Sequence, residues 1–240
     1  MKDVSHDAGA ENRILSLLPD KDRRQLIPAL EPASLPPGRV IYEMGAVIDY
    51  VYFLNRGLAS LISYTQEGGS LEMAIIGYEG MVGLQAFLGS DLSAYRVVQQ
   101  FDGQALRMKA GKFKSECERL RSLQALMLRY TQTLFIQISQ TALCNRFHDI
   151  EARLCCWMLL CQDIIRSDHL QLTQEFLSSM LGCRRAGVTV AAGKMQGRGL
   201  IAYTRGNVLI LDREGLKAAS CECYEVITKA FEWLRKERGI

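Results

Sequence analysis

Residues 172 to 201, LTQEFLSSMLGCRRAGVTVAAGKMQGRGLI, carry the strongest pattern in this chain, and it reads as helix, tight turn, helix. Thr173 offers a hydroxyl to cap a first helix, and Glu175 sits in the first turn, where the helix dipole favours an anion. Phe176, Leu177, Met180 and Leu181 then form an apolar stripe that Gly182 ends. In the second helix Val188, Ala191, Ala192 and Met195 recur at three- and four-residue spacing and face the first. Arg184, Arg185 and Thr189 fall on the opposite side. Two short helices meeting at a glycine turn, with arginines at the exposed start of the second, have the form of a helix-turn-helix that lays a recognition helix in the DNA major groove. Arginine suits that role because its fork can bond guanine O6 and N7 together.

A plain pair of packed helices with a solvated basic face would share much of this pattern. Local charge separates the two readings. From Arg184 to Arg213 there are six basic residues (Arg184, Arg185, Lys194, Arg198, Arg205 and Arg213) against the single acid Asp212, while the whole chain carries a net charge of only +3. The excess is concentrated where phosphates would be met. The run LIAYTRGNVLIL, residues 200 to 211, follows with two strand-like pieces around Arg205, Gly206 and Asn207, residues that tolerate the positive φ of a hairpin turn. That predicts a wing whose tip arginine rests on backbone phosphate. The candidate DNA-binding residues are Thr173, Gln174, Arg184, Arg185, Thr189, Lys194 and Arg205, with double-stranded DNA as the partner.

With 240 residues and 48% apolar content the chain can bury two cores, so two domains are expected. No run approaches the ~20 apolar residues that span a bilayer, and MKDVSHDAGAENR lacks a signal-peptide core, so no membrane partner and a cytoplasmic location are expected. The eight cysteines should then be reduced thiols.

From the N-terminus, Met1 to Ala10 are polar and expected to be loose. Asn12–Leu18 and Asp20–Leu30 read as short helices. From Pro36 to about Lys109 the pattern becomes short β-like pieces, RVIYEMGAVI, YVYFLNRGLASLISY, LEMAIIGYEGMVG and YRVVQQFDGQALRM, punctuated by glycine, as in an all-β barrel or jelly roll. The spacing of VIYEMG, YVYFLNRG and GYEGMVGL, with LGCRRAGVTV further on, resembles the Crp/Fnr family of bacterial transcription regulators over about Asn12 to Leu216. The resemblance implies an α+β architecture. An N-terminal antiparallel β-roll or jelly-roll sensor domain (1–114) would be followed by a long dimerisation helix (115–145) and a C-terminal winged helix-turn-helix domain (146–240). It also implies a homodimer on a two-fold-related DNA site and brings in RNA polymerase as a further partner.

Between Lys112 and Asn145, Leu120, Met127, Leu134 and Thr141 form one seven-residue series, and Leu123, Tyr130, Gln137 and Cys144 another, with no proline or glycine between them. Taken as one helix from Ser115 it would be ~46 Å long. Its expected dimer interface is Leu120, Leu123, Met127, Tyr130, Leu134 and Thr141; a helix lying across its own barrel is the alternative. Asp149 to Ile164 reads as an apolar helix at the centre of the second domain. Asp212 can cap a single C-terminal helix whose Leu216, Ala219, Cys223, Ile227, Ala230 and Leu234 face one side.

The effector-pocket candidates come from the resemblance: Gly83, Leu84, Gln85, Arg96 and Val97. Founding members hold the ribose of cyclic AMP with a glycine–glutamate pair and its phosphate with an arginine followed by a small residue. Here Leu84 replaces the glutamate and Val97 the small residue. Cyclic AMP is therefore not the expected effector, and no cofactor is identified. The recognition helix also departs from the best-known members, with Ala186 and Val190 where they carry a glutamate and a second arginine, so their operator is not expected either.

Cys155, Cys156 and Cys161 share one helix, and Cys221 and Cys223 are separated by one residue. Paired C-x₂-C spacings are absent, so no metal site is expected and the thiols read as buried and inert. The oxygen-sensing branch of the family carries an N-terminal cysteine cluster, whereas the first cysteine here is Cys117. His6, His148 and His169 are scattered and no nucleophile elbow is present, so no catalytic residues are assigned. A ligand-controlled transcription factor is the leading function. A cyclic-nucleotide-binding regulatory module acting on a protein partner and an enzyme of unrecognised chemistry are the alternatives.

Overall fold

Asn12 begins the part of the chain described by the computed structural model, residues 12–235, and the N-terminal segment expected to be loose lies outside it. Its buried side chain accepts from Leu15 N at 3.2 Å and donates to Leu54 O at 2.7 Å and Gly80 O at 2.8 Å. One amide thereby caps α1 (Arg13–Ser16) and pins it to the strands behind it. Helix α2 (Asp20–Leu26) tightens into a 3-10 turn at Ile27–Ala29, earlier than Leu30, because Pro28 has no N–H to continue it.

Six strands follow: β1 (Glu31–Leu35), β2 (Val40–Tyr42), β3 (Tyr50–Tyr64), β4 (Ser70–Ile76), β5 (Met81–Val82) and β6 (Arg96–Lys109). They run in the order β1-β6-β3-β4, with β2 also on β6 and β5 on β3. β1 and β2 pair antiparallel with β6, and β5 antiparallel with β3. Gly57 lets β3 come close to β6. A Cβ at that position would lie 2.8 Å from Gly103 Cα and 2.8 Å from Asp102 O.

The long helix is in two pieces. α3 (Ala110–Arg119) ends at Leu120, whose φ of −103° and ψ of 100° are extended, and α4 (Arg121–Phe147) starts afresh. Neither proline nor glycine marks the break. The two pieces have different neighbours: Phe113 of α3 meets Phe53 edge to face at 6.0 Å, while Ser122 Oγ of α4 donates to Asp22 Oδ2 at 2.5 Å. Leu120, Leu123, Met127, Tyr130 and Leu134 are buried within the chain itself, and Thr141 is half-buried. Tyr130 Oη donates to Met81 O at 3.0 Å, and Gly80 makes room for its ring. Tyr130 thereby packs on its own β-domain. The large apolar residues that α4 leaves exposed are Leu128, Phe135, Leu143 and Phe147, to 59%, 66%, 40% and 74%.

In the C-terminal part Asp149 caps α5 (Ile150–Ile165), whose apolar body fills the centre of that region. β7 (His169–Gln171), α6 (Gln174–Leu181), α7 (Arg185–Gly197), β8 (Ile201–Thr204) and β9 (Asn207–Ile210) follow, the strands in the order β7-β9-β8. The single C-terminal helix expected from Asp212 is instead α8 (Arg213–Ala219) and α9 (Cys223–Arg235), interrupted at Ser220. Arg213 reaches Asp163 Oδ1 at 2.7 Å and Tyr224 Oη at 2.8 Å, joining α8 to α5 and α9. The described residues form two compact units: 12–61 with 75–135 and 231–235, and 62–74 with 136–230. Among the described residues no helix is long and apolar enough to cross a membrane.

Candidate nucleic-acid interface

Helix α6 is closed at both ends by the residues the sequence singles out. Thr173 Oγ1 accepts from Phe176 N at 3.1 Å, and Gly182, at φ 58° and ψ 37°, adopts the left-handed turn that ends the helix. Thr173 is thus a capping residue. Gln174 Oε1 accepts from Thr189 Oγ1 at 2.9 Å, and the same hydroxyl lies 3.1 Å from Arg185 O. Gln174 and Thr189 fasten α6 to α7 and hold the angle between the two helices.

Helix α7 buries Val188, Ala191, Ala192 and Met195. Its start is not capped by a side chain, so the first N–H groups and the positive end of the helix dipole face outward beside exposed Arg184 and Arg185. Such an end receives anions such as phosphate. Ala186 and Val190 are exposed next to Arg185, Val190 to 60%. Small apolar groups in those places can meet a thymine methyl and cannot accept from a cytosine amino group. Lys194 is not brought to this side. Nine residues beyond Arg185, at about 100° per residue, it lies roughly half a turn away. There it and Arg198 flank Glu151, at 3.9 Å and 2.7 Å.

The wing is built as a two-residue hairpin. Arg205 at φ 48° and Gly206 at φ 82° form the turn between β8 and β9, with Thr204 opposite Asn207. Positive φ at both central residues matches the right-handed twist of the strands. It leaves the Arg205 side chain exposed at the tip. Tyr203, beside it, is anchored by its hydroxyl donating to Leu172 O at 2.8 Å, and burial pushes its phenol pKa up.

Of the effector-pocket candidates, Gly83 and Val97 share Tyr42 as a neighbour, which pairs with Val97 and holds its hydroxyl 3.3 Å from where a Cβ on Gly83 would lie. Gly83, at φ 93°, precedes a 3-10 turn at Leu84–Ala86. A Cβ on Gly83 would meet Val51 at 3.2 Å, Tyr42 Oη at 3.3 Å and Ile48 at 3.4 Å, so the space beside it is occupied by the chain's own side chains. Leu84 and Val97 are buried, Gln85 is half-buried, and Tyr42 donates to Tyr50 O. Arg96 Nε lies 3.3 Å from Glu43 Oε2, so the cation that would pair with a phosphate faces a carboxylate.

Comparison with known proteins agrees with this geometry. Residues 32–120 match the family model of the cyclic nucleotide-binding domain, and residues 152–219 that of the Crp-like helix-turn-helix domain. No curated protein matches the sequence. Among solved structures, FixK2 from Bradyrhizobium japonicum superposes with a TM-score of 0.69 at 13% identity, covering 80% of this chain and 98% of that one. A Crp/Fnr-family transcriptional regulator from Eubacterium rectale gives 0.67 at 17% identity, over 84% and 94%. A CRP-family regulator from Thermus thermophilus gives 0.66 at 16%, over 78% and 96%. With a cyclic nucleotide-binding domain followed by a Crp-like helix-turn-helix domain, the chain belongs to the Crp/Fnr family of transcription regulators.

Proposed function

We propose that the chain acts as a homodimer on a two-fold-related DNA site, with Arg185 reading a base in the major groove and Arg205 resting on backbone phosphate. The observation that carries this is the outward, uncapped start of α7, which presents Arg184 and Arg185, together with Arg205 exposed at the wing tip. Leu128 and Phe135, one heptad apart on α4 and exposed, support a second copy on that helix. Two recognition helices related by a two-fold axis would then meet half-sites about one helical turn, roughly 34 Å, apart.

The signal is not cyclic AMP bound as the founding members bind it. Leu84 offers the ribose hydroxyl no partner, and an unmatched buried polar group costs about 1–3 kcal/mol. Tyr42, Ile48 and Val51 crowd Gly83, and Glu43 already faces Arg96. Titration calorimetry on the purified dimer should give no cyclic AMP isotherm at micromolar concentrations, and DNA affinity should not respond to the nucleotide. A micromolar isotherm with DNA affinity rising in step would overturn this. Binding to random duplex should fall steeply with salt. A flat salt response would favour a protein partner for the helix-turn-helix instead.

A further inference from the structure

Four side chains that the sequence scatters converge at the interruption between α8 and α9. Cys144 lies in the last turn of α4 and His148 directly after it; Cys221 and Cys223 bracket the start of α9. Their ligand atoms all fall within 4.8 Å of one another, and the three cysteines are buried. Cys144 Sγ and Cys221 Sγ are 3.5 Å apart, and Cys223 Sγ and His148 Nδ1 3.4 Å. A tetrahedral Zn²⁺, with bonds of about 2.3 Å to sulfur and 2.0 Å to nitrogen, sets its ligand atoms roughly 3.5–3.8 Å apart.

We infer that Cys144, His148, Cys221 and Cys223 form a Zn²⁺ site, which the absence of C-x₂-C pairs had argued against. The surroundings are those of a metal ligand set. His148 turns Nδ1 toward the sulfurs and Nε2 toward Glu222 Oε1 at 3.3 Å, the carboxylate–histidine arrangement that orients a ligating imidazole. Gln140 Nε2 donates to Cys223 Sγ at 3.3 Å, as amides do to coordinated thiolates.

Three sulfurs and one nitrogen in this spacing suit a closed structural zinc site. An iron–sulfur cluster interposes its own atoms between the thiolates and needs them spread wider. On binding, Zn²⁺ forms three bonds to sulfur and one to nitrogen, and the thiol protons pass to solvent. The ion would fasten the end of α4 to the start of α9, just after the break at Ser220.

The test is metal analysis of the full-length protein after dialysis, with Co²⁺ replacing Zn²⁺ as an optical probe. One zinc per chain is expected, and the Co²⁺ form should show intense tetrahedral d–d bands with sulfur-to-cobalt charge transfer. Cys223→Ser should lose the metal, whereas Cys161→Ser, outside the cluster, should keep it. Should Cys223→Ser fail to fold, Glu222→Gln at the exposed carboxylate leaves all four ligands and is expected to weaken zinc affinity about 10–100-fold. Substoichiometric zinc without a tetrahedral Co²⁺ spectrum would overturn the site. So would iron with labile sulfide, or a mass two hydrogens lower from a Cys144–Cys221 disulfide.

Discussion

Replacing Arg205 with asparagine separates the charge at the wing tip from the shape of the turn that carries it. Arg205 sits at φ 48°, a conformation that costs an ordinary side chain about 1–2 kcal/mol and that asparagine tolerates. Alanine would keep that cost, whereas Arg205→Asn removes the cation and leaves the hairpin as stable or more so. If each Arg205 neutralises one phosphate, a dimer loses two, and the slope of log affinity against log salt flattens by about 1.8. Between 50 and 200 mM salt the variant should therefore lose roughly 12-fold less affinity than the parent. Anisotropy of a labelled duplex, run on selected and random sequences with an unfolding curve alongside, measures both terms. The loss at low salt should be the same for the two DNAs. An unchanged slope, or a loss confined to the selected sequence, would refute phosphate contact by the wing.

Arg185→Ala should behave in the opposite manner, costing ~1–3 kcal/mol on the selected site with random-sequence binding largely intact, in the same anisotropy assay. Phe135→Asp should shift the dimer toward monomer in sedimentation, because the 66% exposed ring stands on the outward face of α4; an unchanged dimer would place the interface elsewhere. Burial opposes the charge of Glu116, but Lys112 and Arg119 outweigh it and hold its carboxyl below the ordinary value. A lowered folded pKa gives stability that is present above the unfolded value, about 4.3, and lost as pH falls through the folded one. Urea midpoints should thus fall less on the acid side for Glu116→Gln than for the parent, and equal slopes would show that the cluster contributes nothing.

The helix-turn-helix was legible because its chemistry is local. Thr173 caps, Gly182 ends and Arg205–Gly206 turns within a few residues of the elements they shape. Longer-range features were not. A seven-residue apolar repeat states that one face of α4 is covered but not by what, and Tyr130 found Met81 of its own chain. The break at Leu120 carries no proline or glycine, so nothing in the local sequence marks it. The Cys144–His148–Cys221–Cys223 cluster escaped a search by spacing because its halves are some 75 residues apart. Lys194 looked like part of a basic face until helical rotation put it beside Glu151.

The side chains packed against Gly83 bear on how the signal for this regulator can be sought. A vacant nucleotide pocket gains stability on filling, about 2.7 kcal/mol at a hundredfold excess over Kd, and melting-temperature screens depend on that gain. On the reading proposed above, Tyr42, Ile48 and Val51, 3.2–3.4 Å from where a Cβ on Gly83 would lie, leave a nucleotide no such gain. A nucleotide library added to this protein should, on that reading, leave its melting curves superimposed. Effectors are better looked for by changes in DNA affinity than by changes in heat resistance.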